Sequence, residues 1–167
     1  KASYNDTLIL VDDLYFMTTG SQVSGNASLS YGPDDFSDFL NKVKLDVTFY
    51  ESSFDSKEFI SYIPEFPDFD KFTFSGEGEG VINDFRVSQL DFRNFKETRL
   101  YGNAHVTQCT DIEDIKVIAD VVIFKTTAYE LSDNLNQFFD QPINEWADPI
   151  QFIDLRGKYE WSMDHFS

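Results

Sequence analysis

Residues 43–50 read Val-Lys-Leu-Asp-Val-Thr-Phe-Tyr, and this alternation of apolar and polar side chains decides the fold class. A two-residue period places successive side chains on opposite faces of a β-sheet, so one face of the segment is apolar and the other faces water. The same period recurs along most of the chain, whereas helical periodicity is nearly absent. The other segments that we predict to be extended are 8–16, 23–31, 72–74, 85–92, 100–106, 117–123 and 159–163.

The composition of the 167-residue chain agrees with a folded β protein. Phe, Tyr and Trp make up 17% of the chain, whereas disordered acidic chains are poor in aromatic residues. The 30 acidic residues exceed the 13 Lys and Arg residues, which gives a formal net charge of −17. That charge disfavours binding to nucleic acid and docking on an anionic membrane surface. No stretch approaches the ~20 consecutive apolar residues of a membrane-spanning helix.

Few residues are suited to chemistry. Cys109 is the only cysteine, and His105 and His165 are the only histidines, which excludes an internal disulfide and a thiolate metal site. No nucleophile–base pair and no spaced pair of carboxylates stands out. The three glycines of residues 76–80 lack the spacing of a dinucleotide-binding loop, and on one face of a strand they indicate a bend or a close approach. We therefore expect a non-catalytic protein without a cofactor or a metal.

Two short segments have helix signals instead. Ser56 begins a run that Pro64 ends, and Ser132 begins a second run that Pro142 ends. A serine before an early acidic residue, with a proline after the last turn, is a start and stop pattern for a helix of about two turns. We predict one short helix after each serine, at the boundaries of repeated units.

The chain also repeats itself. Gly25-Asn26-Ala27 matches Gly102-Asn103-Ala104 at an offset of 77 (102 − 25). Three further matches, at offsets of 74, 76 and 81, pair Asp46 with Asp120, Ser56 with Ser132, and residues 74–76 with 155–157. Four matches in the same order predict a repeat.

We place a partial first unit at residues 1–79, a second unit at 80–155 and the start of a third at 156–167. Both ends of the chain then fall inside a unit. We expect a piece of a longer repetitive protein, whose first and last strands have neighbouring strands.

Two motifs resemble a known family. Residues 74–87 read Phe-Ser-Gly-Glu-Gly-Glu-Gly-Val-Ile-Asn-Asp-Phe-Arg-Val, and residues 98–103 read Thr-Arg-Leu-Tyr-Gly-Asn. The first resembles the sheet segment, and the second the strand that follows it, in the central repeats of TamB-like proteins of Bacteroidetes. These inner-membrane components of the translocation and assembly module belong to the AsmA-like superfamily. The resemblance covers most of residues 5–139 and rests on pattern rather than on a catalytic signature.

The resemblance implies a fold and a function. TamB-like proteins are anchored in the inner membrane and cross the periplasm as a long antiparallel sheet that is curled into an open, apolar-lined trough. The implied role is a non-catalytic bridge for phospholipid transport to the outer membrane, or for assembly and secretion of outer-membrane proteins. The implied partners are phospholipid acyl chains and an outer-membrane assembly protein of the TamA/BamA type. The segment itself would not span a membrane.

The alternation of apolar residues predicts which side chains line that trough. The hydrophobic groove candidates are Leu10, Leu14, Phe16, Leu29, Leu45, Val47, Phe49, Phe74, Phe92, Leu100, Val106, Val121 and Ile123.

Two alternatives remain open at this stage. The apolar stripes would also suit the enclosed core of a β-sandwich or a barrel. A sandwich-like repeat module outside the cytoplasm would bind glycan or protein instead of lipid. Exposed aromatic residues would favour that second function, and Tyr101, Tyr129 and Trp146 are the residues that could serve it.

Overall fold

The computed structural model describes residues 1–60, 70–94, 97–109, 114–135 and 151–162. These residues form one antiparallel sheet of nine strands, in which each strand pairs with the next strand of the chain. The strands are β1 (Ala2–Tyr4), β2 (Leu8–Met17), β3 (Gln22–Ser30), β4 (Lys44–Asp55), β5 (Lys71–Val81), β6 (Asp84–Asn94), β7 (Arg99–Thr107), β8 (Lys116–Thr127) and β9 (Phe152–Ser162). The predicted mainly β fold with a few short helices is confirmed.

The sheet is a single open layer. It is uncurled, with β1 and β9 at its two edges, so the described strands form neither a barrel nor a sandwich. Of the apolar residues that the structure describes, only Val43 and Ala128 are buried, with 0% and 4% of their surface exposed. Most other apolar side chains of the strands are half-buried against neighbours on the same face. An open sheet of this kind is compatible with a trough.

Every second strand carries one extra residue. Register shifts place β-bulges at residues 12–13 of β2, 50–51 of β4, 88–89 of β6 and 122–123 of β8. A bulge bends its strand and moves the following side chains to the opposite phase of the alternation. The four bulges form a band across the sheet and divide each of these strands into two parts.

The helices lie between strands. A 3-10 turn (Asp35–Asp38) and α1 (Phe39–Lys42) connect β3 to β4, α2 (Ser56–Ile60) follows β4, and α3 (Ala128–Leu135) follows β8. The predicted start at Ser56 is confirmed, and the rest of that run, up to Pro64, lies outside the described residues. The connection by the 3-10 turn and α1 was not predicted as helical.

The predicted start of the second helix at Ser132 is wrong. Helix α3 begins four residues earlier, because Thr127 supplies the cap: the backbone N–H of Glu130 donates to Thr127 Oγ1 over 3.2 Å. Ser132 lies inside the helix, where its hydroxyl donates to the carbonyl of Tyr129. Asp55 has the same capping position before α2 and accepts from the backbone N–H of Lys57 over 3.1 Å.

The repeat is visible in side-chain contacts at two bulges. The backbone N–H of Asp13 donates to Asn26 Oδ1 over 3.0 Å, and that of Gln89 donates to Asn103 Oδ1 over 2.9 Å. Both donors have a positive φ, 54° for Asp13 and 52° for Gln89. Strands β2 to β5 therefore correspond to β6 to β9. Residues 79 and 155 lie within β5 and β9, and the division into units at these positions stays a prediction.

The offset between equivalent residues changes along the unit. Asn26 faces Thr48 and Asn103 faces Asp120, so Asp120 corresponds to Thr48 at an offset of 72 (120 − 48). The predicted match of Asp46 with Asp120 is wrong by two residues. The reason is that residues 108–115 connect β7 to β8, whereas a connection that is five residues longer joins β3 to β4.

A helix glutamate contacts a turn in each half of the sheet. Glu58 of α2 accepts hydrogen bonds from the hydroxyls of Thr18 and Ser21 and from the backbone N–H of Gly20. Glu130 of α3 accepts from the hydroxyl of Thr98 over 2.6 Å. These contacts hold both helices against the same end of the sheet. The hydrogen bonds from Ser21 and Thr18 lower the pKa of Glu58.

Candidate apolar binding face

Strand register decides which side chains share a face, because directly opposed residues of antiparallel strands point to the same side. Leu29 faces Leu45 and Val47 faces Gly78, and following such pairs across the sheet defines one apolar face. Eleven of the thirteen groove candidates lie on it: Leu14, Phe16, Leu29, Leu45, Val47, Phe49, Phe74, Phe92, Leu100, Val106 and Val121.

The other two candidates lie on the opposite face. Leu10 faces Ser28, and Ile123 faces Tyr101. The bulges explain both errors. In a strand without a bulge, Leu10 would share the face of Leu14, and Ile123 would share the face of Val121. With the bulges included, Val11 and Phe124 take these places on the apolar face.

The list of groove candidates also left out residues of the apolar face. Some of them follow the predicted alternation but were not named as groove residues: Phe72, Phe85, Val87, Leu90, Tyr159 and Trp161. The alternation itself missed Ile9, Val11, Phe54, Phe124 and Leu155. The sequence does contain a signal that would have placed Ile9 on the apolar face. Two consecutive polar residues, Asp12 and Asp13, interrupt the alternating run. Such a pair indicates a bulge and a change of phase.

An aromatic cluster occupies the middle of this face. The ring of Phe72 lies 5.3 Å from that of Phe54, 5.9 Å from that of Phe74 and 5.2 Å from that of Phe92, measured between centroids. Phe49 packs edge-to-face on Phe74 at 5.3 Å. Tilted and edge-to-face pairs at these distances are favourable arrangements of aromatic rings. The cluster spans three strands, β4, β5 and β6.

Glycines opposite the bulges keep this face shallow. A Cβ atom on Gly25 would lie 2.1 Å from the carbonyl oxygen of Thr48, and one on Gly102 would lie 2.3 Å from that of Asp120. The backbone of the bulged strand thus occupies the space of a side chain, and only glycine fits. Gly78, on the same face, lies under the ring of Phe85. The expected close approach at the glycines of β5 is confirmed at this position.

Part of the apolar face is open to solvent. Phe16 near one edge has 54% of its surface exposed, and Leu155 and Tyr159 at the other edge have 43% and 42%. Exposed apolar side chains also occur on the opposite face, at Tyr15, Met17 and Ile118, so exposure alone does not single out a face. What distinguishes the apolar face is the continuous row of apolar side chains across successive strands, which is the kind of patch that indicates a binding surface. The apolar face is therefore the candidate site.

The opposite face is polar and holds paired charges. Asp91 Oδ2 lies 2.6 Å from Nη2 of Arg93 and 3.0 Å from Nη2 of Arg99. The hydrogen bond from Arg93, with that from Arg99, lowers the pKa of Asp91 to about 2. His105 Nε2 lies 2.6 Å from Asp84 Oδ1, and this hydrogen bond lowers the pKa of the Asp84 carboxyl.

Two depressions on the polar face have volumes of about 320 Å³ and 240 Å³, and the smaller one is lined by residues that include Thr73, Asp91 and Arg93. Charges of both signs line the larger one, since its walls include Glu79, Arg86, His105, Asp120 and Lys158. Within the described ranges, no group of three or more His, Cys, Asp or Glu side chains is arranged to hold a metal ion. Cys109 is half-buried.

Of the residues named for glycan or protein binding, two lie in the part of the chain that the structure describes. Tyr101 lies on the polar face beneath the guanidinium of Arg99, which is 6.0 Å from the ring centroid. Tyr129 is 74% exposed on α3. Trp146 lies outside the described residues.

Comparison of the chain with protein-family models, with curated proteins and with solved structures gives no match. In the part of the chain that the structure describes, no helix has the length and apolar character needed to cross a membrane.

Proposed function

We propose that this chain is a non-catalytic segment of a periplasmic bridge and that its apolar face holds phospholipid acyl chains. One observation supports this most directly: the groove candidates of seven successive strands, β2 to β8, share one partly exposed apolar face, while the other face carries the ion pairs. Such a surface offers contact along its whole length without a polar recognition site.

The dimensions of the face suit an acyl chain. Nine strands about 4.8 Å apart extend over about 38 Å. The acyl chains of one leaflet reach about 15 Å, half of a hydrocarbon core of ~30 Å, so one chain lying across the strands contacts three or four of them. The aromatic cluster covers that many strands. Each CH₂ group that leaves water contributes about 0.8 kcal/mol.

The biological setting follows from the family resemblance of residues 74–87 and 98–103. It supports a periplasmic location within an inner-membrane-anchored protein that reaches the outer membrane. There the segment would serve phospholipid transport or outer-membrane protein assembly, with an assembly protein of the TamA/BamA type as partner. The net charge of −17 and the polar second face are suited to an aqueous compartment.

The test is lipid occupancy of the purified chain, produced in a bacterial periplasm. Native mass spectrometry and organic extraction would measure co-purified phospholipid, and a phospholipid with a fluorescent acyl chain would measure binding directly. We expect Phe49→Asp and Phe92→Asp to reduce occupancy at least about tenfold, because each places a charge within the apolar face.

Two matched controls lie on the polar face. Ile118→Asp introduces the same charge at a side chain that is 50% exposed, and Asp46→Asn removes one charge. Both should leave lipid occupancy unchanged. Phe49 and Phe92 also belong to the aromatic cluster, so circular dichroism must show that their variants remain folded. If these variants do not fold, Tyr159→Asp replaces them, because Tyr159 lies at an exposed position of the same face. A folded parent chain that neither carries nor binds phospholipid would contradict the proposal and favour the glycan or protein module.

A further inference from the structure

One row of side chains crosses the polar face from β2 to β9 and changes character halfway. The directly opposed residues of this row are, in order, Met17, Gln22, Ser53, Thr73, Arg93, Arg99, Lys125 and Asp154. The first four side chains are uncharged and the last four are charged. We call Arg93, Arg99 and Lys125, which lie on the neighbouring strands β6, β7 and β8, the cationic row.

The cationic row has an energetic cost that the fold does not require. Arg93 faces Arg99, and Arg99 faces Lys125. Like charges that are directly opposed on neighbouring strands are destabilising. Strands β2, β3 and β4 correspond to β6, β7 and β8, and they form the same register with uncharged side chains at the equivalent positions, Met17, Gln22 and Ser53. A costly local arrangement that the scaffold does not need indicates a functional site.

Asp91 holds two members of the cationic row in place. Its carboxylate accepts hydrogen bonds from Nε and Nη2 of both Arg93 and Arg99, over 2.6 to 3.1 Å. The guanidinium of Arg99 also lies over the ring of Tyr101, 6.0 Å from its centroid. A guanidinium has five N–H donors, so each arginine has three that Asp91 does not use. Because both groups are already fixed, they lose little side-chain entropy when they bind a ligand.

The charges around the cationic row do not cancel. Asp154 lies 3.7 Å from Lys125 and also pairs with Arg156, so four cations share two carboxylates. Glu51, which lines the smaller depression together with Arg93, is a third negative charge and leaves an excess of one positive charge (4 − 3). The side chains of the cationic row have 38–55% of their surface exposed. In a chain with a net charge of −17, this part of the polar face attracts anions.

We propose that the cationic row binds a phosphate monoester. Such a group has three acceptor oxygens and a charge of about −1.5 to −2 at pH 7, whereas a carboxylate has two oxygens and a single charge. Guanidinium groups donate paired N–H groups to phosphate oxygens, and arginine clusters are a common means of phosphate recognition. Three strands about 4.8 Å apart make a row about 10 Å long, which lets the long side chains reach one phosphate group. The row lies on the polar face, so the proposal does not depend on acyl-chain binding.

Isothermal titration calorimetry of the full chain with glycerol phosphate at low ionic strength tests the site. Arg99→Gln and Lys125→Ser introduce the side chains that occupy the equivalent positions of the first half, at Gln22 and Ser53. Each should weaken binding at least about tenfold, because each removes a charged donor to the phosphate. Circular dichroism checks the fold. If Arg99→Gln does not fold, Lys125→Ser, which leaves the contacts of Asp91 intact, carries the test.

Two matched controls make the same chemical changes outside the row. Arg86→Gln and Lys158→Ser remove cations from exposed positions of the polar face, where Arg86 faces Glu79 and Lys158 faces Asp120. Both should change the affinity by less than about twofold, because solvent and salt screen a single distant charge. Acetate at the same ionic strength is the control ligand, and it should bind at least about tenfold more weakly than glycerol phosphate.

Vesicle sedimentation distinguishes the two sources of a phosphate monoester. Phosphatidylcholine vesicles are compared with vesicles that also contain phosphatidic acid, for the parent chain and for Lys125→Ser. Binding that requires both phosphatidic acid and Lys125, without binding of glycerol phosphate, supports the proposal and assigns the row to a lipid headgroup. Binding of glycerol phosphate that requires Lys125 supports it and assigns the row to a soluble ester. A folded parent chain that binds neither, equal binding of acetate, or equal losses in the row variants and the control variants would overturn the proposal.

Discussion

Phe72→Ala is the most informative single change to the sheet. Phe72 contacts three other rings, those of Phe54, Phe74 and Phe92, at centroid distances between 5.2 and 5.9 Å. Each aromatic pair contributes about 0.5–1.5 kcal/mol beyond the area that it buries. With half-buried rings, the loss of all three pairs should lower the free energy of unfolding by about 2–4 kcal/mol.

Urea denaturation followed by circular dichroism measures this loss. With an m-value of about 2 kcal/mol per molar urea, the midpoint should fall by roughly 1–2 M. Phe16→Ala is the matched control: the same chemical change on the same face, at a side chain that is 54% exposed. Phe16→Ala should lower the free energy of unfolding by less than about 1 kcal/mol. Equal losses for the two variants would refute the conclusion that the aromatic cluster stabilises the sheet.

Three further predictions concern the bulges and the polar face. Asn103→Ala removes the acceptor of the Gln89 N–H and should lower the free energy of unfolding by about 0.5–1.5 kcal/mol in the same urea assay. Gly102→Ala should lower the free energy of unfolding by more than about 2 kcal/mol, because its Cβ would lie 2.3 Å from the carbonyl oxygen of Asp120. Thermal unfolding measures this loss, and an unchanged Tm would contradict the close approach. In the folded chain Asp91 has a pKa of about 2, below its ordinary 3.8. Its ionised form therefore stabilises the fold above pH ~4, and this stabilisation is lost as the pH falls towards 2. Because solvent screens the partly exposed arginine partners, this stabilisation amounts to about 1 kcal/mol. In the Asp91→Asn variant, the free energy of unfolding should therefore fall less between pH ~4 and pH ~2 than in the parent chain.

The sequence was sufficient to predict eight of the nine described strands and the faces of most of them. Strand β1 was not predicted, and β5 and β9 are longer than the alternating segments 72–74 and 159–163. Alternation in residues 43–50 and its recurrence indicated a one-sided sheet, because burial on one face imposes a period of two whatever the neighbouring strand is. Helix signals were weaker. A serine at 132 gave a start pattern, yet the cap is Thr127, because hydroxyl side chains of both types can accept the N–H of an early helical residue.

The errors at Leu10 and Ile123 have one physical origin. A bulge adds a residue to one strand and not to its partner. Within a single strand, two adjacent polar residues indicate the bulge at Asp12 and Asp13, but the bulge at Val122 and Ile123 has no such signal. A bulge depends on the pairing of two strands, and here on Asn26 or on the missing side chain of Gly102 in the neighbouring strand. Residues on either side of a bulge, such as Val11 and Leu14, are recognised as members of one face only when the paired strands are compared.

The identity of strand order and chain order has a consequence for folding. Every strand pairing in the described sheet joins segments that are adjacent in sequence, so the contact order is low and each new strand can add to an existing edge as the chain emerges. Such a sheet can assemble progressively, as a zipper does, and it should lose its strands in the reverse way, from the edges inward. We expect amide hydrogen exchange to be slowest in β4, β5 and β6 and to become faster towards β1 and β9.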